Sequence, residues 1–275
     1  MRRNRLRELL RAGEPSLATH VMSTWPTIVE LVGQTGHWDY VEFVAEYAPW
    51  TLHDLDNIGR AVELFPDFSA MVKIDQHMRG HLAMRAIGSG IQNVLFADVR
   101  TADDARACVR AVRPEHPDFG GRLGVGMRRD SRTLAHVGDQ DWIEALRDTV
   151  VAVMIEKKQA VEDLESILAV DGIDMVQFGP ADYAVSLGVE RAHPGVAEAE
   201  QHLIESAQRR GVAVRAEPPS AAAAKRYLDM GVRHFCVNHD LGILHEWFTT
   251  EGARLRELLA GDAEVSHARN TEFLY

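Results

Sequence analysis

Short apolar runs alternate along this chain with stretches whose apolar residues recur at helical spacing. Val150–Ile155 and Ile173–Phe178 read as strands, and Val161, Leu164, Ile167 and Leu168 place a helix over Ala160–Val170 between them. Six more strands are expected at Ser16–Met22, Asp39–Val44, Phe68–Ile74, Asn93–Ala97, Val212–Arg215 and His234–Val237. Helices fall at Pro26–Val32 (stopped by Gly33), Leu52–Leu64, Gly80–Ile87, Asp103–Val112, Asp141–Thr149, Val196–Arg209 (stopped by Gly211), Ala221–Met230 and Leu241–Leu259. Eight strands in alternation with helices predict an α/β protein, a (β/α)8 TIM barrel, over residues 1–259. The tail, 260–275, is polar until Phe273, Leu274 and Tyr275. Arginines interspersed with Leu6, Leu9 and Leu10 predict a surface helix at the start, and Pro114–Gly138 an excursion over one barrel end.

Composition narrows the function. A formal net charge of −11 argues against a nucleic-acid surface, because binding phosphates requires a basic patch. Arg128, Arg129 and Arg132 form a local basic cluster, a solvated loop or, if it lies over the site, an attractor of anionic substrate. No apolar run is long enough to cross a bilayer. Two isolated cysteines, Cys108 and Cys236, suit a reducing cytoplasm better than a disulfide framework.

The chemistry concentrates where the two central strands end. Glu156 follows the first and Asp182 lies behind Gly179-Pro180-Ala181 after the second. In a parallel α/β protein those ends form the ligand-binding edge, and two carboxylates meeting there suit a hard divalent cation. Acids at strand ends also cap the helix that follows, and Asp182 alone suits that role.

Ile155-Glu156, then Gly179-Pro180-Ala181-Asp182-Tyr183, with Ser186-Leu187-Gly188 and His193-Pro194 behind, resembles the HpcH/HpaI aldolase family. The resemblance implies the barrel fold and a metal-dependent lyase acting on a small 2-oxoacid. The ion, Mg2+ or Mn2+ with Co2+ or Zn2+ as substitutes, would be held by Glu156 and Asp182. It also implies that Gly179, Pro180, Ala181 and Asp182 bind the substrate carboxylate, and that the chain forms a homo-oligomer, a hexamer built as a trimer of dimers, with its C-terminal segment packed on a neighbour.

Other family elements differ. The arginine at the end of the third strand is Lys73 here, which loses the bidentate fork and keeps only a point charge. In the D-G-E-H-A-P element, which reads Val44-Ala45-Glu46-Tyr47-Ala48-Pro49, Asp and His are replaced by Val44 and Tyr47, and the Gln before the metal Glu is Met154. The usual proton relay is therefore missing. Alternation puts Glu42 one layer below Val44, flanked by His20 and Lys73. Glu42, His20 and Lys73 are expected to form a substitute polar cluster with Tyr47 donating to substrate, the competing expectation being a buried Glu42–Lys73 ion pair. His77, Arg79 and His81 follow the third strand, and Asp240 reads as a helix cap.

Aldol cleavage of a 4-hydroxy-2-oxoacid, releasing pyruvate or an analogue, is the leading expectation. Decarboxylation of an oxaloacetate-type acid or a citrate-lyase-like reaction on the same scaffold is the second, and an inactive ligand-binding relative the third.

Overall fold

A computed structural model describes residues 2–126, 128, 129 and 135–260. Eight strands, β1 (Ser16–Val21), β2 (Tyr40–Val44), β3 (Ser69–Ile74), β4 (Asn93–Phe96), β5 (Val150–Ile155), β6 (Met175–Phe178), β7 (Ala213–Ala216) and β8 (His234–His239), close in sequence order into a barrel. Every neighbouring pair is parallel, β8 onto β1 included. The predicted (β/α)8 fold is what the chain adopts. Parallel strands all deliver their C-terminal ends to one rim, and this places the residues after β1, β2, β5, β6 and β7 around one opening.

Two apolar layers follow from strand alternation. The outward face packs against the helices, and the inward face stacks Ala18, Tyr40, Met71, Leu95, Ala152 and Cys236 in the barrel interior. The opening helix, α1 (Arg5–Ala12), belongs to this inner layer and is not the surface helix its arginines suggest: Leu6 is fully buried beneath the barrel. Asn4 donates to Asn93 Oδ1 at 2.7 Å, and Arg7 makes two 2.6 Å contacts with the Asp174 carboxylate, closing the N-terminal end.

The remaining helices are α2 (Pro26–Gln34), α3 (Leu52–Glu63), α4 (Arg79–Gly88), α5 (Ala102–Val112), α6 (Gln140–Arg147), α7 (Lys158–Glu162), α8 (Leu164–Leu168), α9 (Pro180–Leu187), α10 (Pro194–Arg210), α11 (Ala221–Asp229) and α12 (Asp240–Ala260). Three depart from expectation. Gly33 does not stop α2, which runs through it: a Cβ there would come within 2.5 Å of the Phe65 ring, so glycine is kept for close packing. The single helix over Ala160–Val170 is two, broken at Asp163, whose Oδ2 accepts the Ala102 amide at 3.1 Å. The Gly-Pro turn after β6 starts a helix, α9, with Pro180 in its first turn, where its missing N–H costs nothing.

The barrel unit ends at Asp240, and a second unit begins at Leu241. α12 exposes Leu244, Trp247, Phe248, Leu255 and Leu258. No helix among the described residues is long and apolar enough to cross a membrane. Arg132 and residues 261–275 lie outside the described residues, and with them the expectation of a docked tail. Arg128 pairs with Asp56 and Arg129 with Glu63, both on α3.

Candidate active site

The C-terminal rim encloses a cavity of about 340 Å³, onto which His20, Tyr47, Lys73, Glu156, Asp182 and the Gly179-Pro180-Ala181 segment all open. One sequence-predicted residue does not reach it: Glu42 is fully buried below the floor.

Glu156 follows β5 and is buried. Its Oε1 accepts the Asp98 amide at 2.6 Å, and Asp98 takes a φ of 55° to present that N–H. The left-handed region is unfavourable for a residue other than glycine, so the backbone is strained where it grips the carboxylate. Gly179 makes room on the other side: a Cβ there would lie 2.6 Å from Glu156 Cβ and 2.8 Å from Oε2. Burial raises the Glu156 carboxyl above its usual range; Lys73 and the Asp98 amide oppose this, while the Asp182 charge adds to it.

Asp182 sits in the first turn of α9, half exposed, with its Oδ1 2.6 Å from Lys157 Nζ. The amides of Ala181 and Asp182 occupy the same turn, where no earlier helical carbonyl accepts from them and no side chain caps them. Two hard oxygen donors, brought together from the ends of adjacent strands, fit a divalent cation.

Across the cavity, Lys73 is buried but does not pair with Glu42. Its Nζ lies 2.6 Å from Glu46 Oε2 and donates to the Tyr47 hydroxyl at 3.1 Å. Burial disfavours the Lys73 ammonium, but Tyr47, Glu46 and Glu217 outweigh it and hold the group charged. Since the Tyr47 oxygen accepts from Lys73, its own proton is left for a second acceptor, with the Glu46 carboxylate close by; burial first, and then Glu46, raise that phenol above its ordinary pKa against the opposing charge of Lys73.

Glu42 is instead held by Arg215, from β7. Arg215 NH2 lies 2.6 Å from Glu42 Oε2, both side chains having no exposed surface. Arg215 also bonds Gln177 Oε1 and lies 3.7 Å from Glu217. His20 Nε2 is 2.8 Å from Glu217 and 3.4 Å from Glu42. The expected single cluster is thus two: Lys73–Glu46–Tyr47 at the rim and His20–Glu42–Glu217–Arg215 below. Burial opposes charge on His20, but the Cys236 sulfur, Glu217 and Glu42 outweigh it and keep the imidazole well above its ordinary pKa. For Glu217 burial also opposes ionisation, yet His20, Arg215 and Lys73 bring its pKa down to about 2.

His20, Glu42 and Glu217 bring three potential ligand atoms within 4.8 Å of one another. Arg215 decides against an ion there. Two carboxylates, one guanidinium and one imidazolium already cancel in formal charge, and a dication would face a fixed buried cation. Glu217 and Arg215 were readable: they sit two apart at the end of an apolar run, hence on one face.

Arg79 bonds the Ala97 and Asp98 carbonyls and Asp104, binding the loop after β4. Asp240 accepts the Met22 and Ser23 amides at 2.9 Å each, fixing the loop after β1.

The fold and rim define a (β/α)8 protein with a carboxylate pair at the catalytic face. The model of the HpcH/HpaI aldolase/citrate lyase family matches residues 51–236, and the chain belongs to that family. It is 29% identical over 242 residues, 87% of its length and 92% of the relative's, to a 5-keto-4-deoxy-D-glucarate aldolase of Klebsiella pneumoniae subsp. pneumoniae. A 2-keto-3-deoxy-L-rhamnonate aldolase of Escherichia coli O1:K1 / APEC is 32% identical over 211 residues, 75% of this chain and 74% of that one. An HpcH/HpaI family protein from Burkholderia cenocepacia J2315 superposes with a TM-score of 0.82 at 28% identity, covering 92% of this chain and all of that one.

Proposed function

We propose that this protein is a divalent-metal-dependent carbon–carbon lyase that cleaves or forms a 4-hydroxy-2-oxoacid, using Glu156 and Asp182 as the protein's ion ligands. The observation that carries the reading is the meeting of these two carboxylates at one cavity wall beside the free amides of α9. The aldolase names of its relatives support the substrate class.

A bound cation, Mg2+ or Mn2+, would supply positive charge to the 2-oxo group as the C3–C4 bond breaks. The Ala181 and Asp182 amides bind the substrate carboxylate. Lys73 adds a fixed positive charge beside Glu156, and Tyr47, oriented by Lys73, donates a hydrogen bond to the substrate's 4-oxygen; in cleavage the 4-hydroxyl proton passes to solvent water and the released enolate takes a proton back at C3, the reverse holding for bond formation. His20 and the charge pair beneath it keep the cavity floor polar.

The rim carries no imidazole–carboxylate pair at the β2 end, since Val44 and Tyr47 stand there. That favours a second reading, decarboxylation of an oxaloacetate-type acid, which needs no alcohol deprotonated. The neighbouring possibility of an inactive ligand-binding relative is separated by the same assay. Chelator-treated protein, restored with Mn2+, is given a 4-hydroxy-2-oxoacid panel and oxaloacetate, and pyruvate is followed. Metal-dependent release from the hydroxy acids supports the aldolase, from oxaloacetate alone the decarboxylase, and binding without turnover the inactive reading. The exposed apolar side chains of α12 support a homo-oligomer, in which a second copy covers them.

A further inference from the structure

We infer that Lys157 stands in for the cation on Asp182, so that ion binding exchanges an ammonium for a metal and Lys157 sets the protein's ion affinity. The inference rests on the metal reading of Glu156 and Asp182. Lysines at the start of a surface helix ordinarily extend into water. Lys157 does not: its side chain is 19% exposed and its Nζ lies 2.6 Å from Asp182 Oδ1, whereas Lys158 is 61% exposed and reaches only Glu162, at 3.8 Å. The positive charge of Lys157 also favours ionised Glu156. One ammonium thus bonds Asp182 and lends its charge to Glu156 as well.

A dication carries twice the charge and accepts ligands from both carboxylates, so it can displace the lysine at the expense of the ion pair. The displaced side chain has somewhere to go. A second cavity beside Asp182 is bordered by Lys157, Lys158, Arg100, Glu162 and Ser186, and Glu162, which Lys158 reaches only at 3.8 Å, offers the ammonium a second, shared partner. Lys157 is a positioning residue: it holds the Asp182 carboxylate at the rim and weakens the ion by competition.

The test is Mn2+ titration by calorimetry into the chelator-treated full chain. Lys157→Gln, with Lys157→Met as a second version, is expected to bind Mn2+ roughly 5- to 20-fold more tightly than the parent. Lys157→Arg stays near the parent, and Lys158→Gln, which removes an equal charge one residue on, changes affinity less than about twofold. Unchanged or weaker binding in Lys157→Gln, or an equal gain in Lys158→Gln, overturns the inference. If Glu156→Gln and Asp182→Asn still abolish binding in that case, the metal reading itself stands. Absence of Mn2+ binding in the parent and in both Lys157 variants overturns both.

Discussion

Arg215 and Glu42 form an ion pair at 2.6 Å in which neither side chain has any exposed surface, directly below the catalytic cavity. Each offsets part of the other's loss of water, with Gln177 and Glu217 beside Arg215 and His20 beside Glu42 sharing the cluster. Replacing one alone strands a buried charge, so Glu42→Gln or Arg215→Met is expected to destabilise the fold by about 3–5 kcal/mol. The double variant Glu42→Met/Arg215→Met is expected to recover most of that loss. Urea unfolding of the three proteins measures it.

Gly179 and Glu156 provide a steric test of the ion site. Gly179 has a φ of −107°, which any residue adopts, so Gly179→Ala strains no backbone. The added methyl would press on the Glu156 carboxylate. The variant is expected to melt at a lower temperature, because Glu156 Cβ cannot give way without moving the end of β5, and to lose Mn2+ affinity at least about tenfold as the carboxylate is pushed aside. Circular dichroism and calorimetry separate the two effects.

The Tyr47 side chain is 57% exposed overall, and although its hydroxyl bonds the buried Lys73, the ammonium keeps Glu46 at 2.6 Å when that hydroxyl is removed. Tyr47→Phe is expected to leave stability within about 0.5 kcal/mol of the parent. If the hydroxyl donates to the substrate oxygen, turnover falls roughly 10- to 100-fold. Lys73→Ala differs in kind, since it strands Glu46 and should lower both stability and turnover; steady-state rates per folded molecule, with unfolding curves, distinguish them.

His234 makes stability depend on pH. Its Nδ1 lies 3.0 Å from Ser16 Oγ, and burial, helped by Arg233 and Arg215, lowers its pKa to about 4. As pH falls below the ordinary histidine value the unfolded chain takes up a proton that the folded chain refuses. Stability therefore declines from about pH 6.5 to about 4 and this contribution levels off below. Glu217, with its pKa at about 2, adds a second decline below the ordinary carboxylate range as the unfolded chain protonates first. Melting curves across pH 4–7 for the parent and His234→Gln check the first step: the variant should lose less.

The barrel was legible because eight apolar runs alternate with helix-spaced segments, and the carboxylate pair because each acid closes such a run. Period-two alternation correctly placed Glu42 one layer below the rim but could not name its partner. Arg215 reaches it from β7, a strand separated from β2 by 170 or so residues of chain, and only barrel closure brings the two together. Lys73 meets Glu46 for a different reason: β2 and β3 pair directly, but Glu46 lies in the loop after β2, where strand alternation no longer says which way a side chain points. Asp98 escaped notice because its contribution is a backbone amide, which side-chain identity does not announce. The sequence does not single out Lys157, because its neighbours say nothing about α9, the helix that carries Asp182 and that a Gly-Pro pair disguises as a turn.

Self-association checks the α12 surface. The chain is expected to run as a multimer in light scattering, and the pair Trp247→Glu/Phe248→Glu, both exposed on one copy, should shift it toward monomer without unfolding the barrel.

The most direct test of the metal site is the anomalous difference map of a crystal soaked with Mn2+ and oxalate, which mimics the two oxygens of a 2-oxoacid. A single peak about 2.1 Å from carboxylate oxygens of both Glu156 and Asp182 is the predicted result. A peak among His20, Glu42 and Glu217, or an Asp182 carboxylate still bound to Lys157 with oxalate elsewhere, would contradict it.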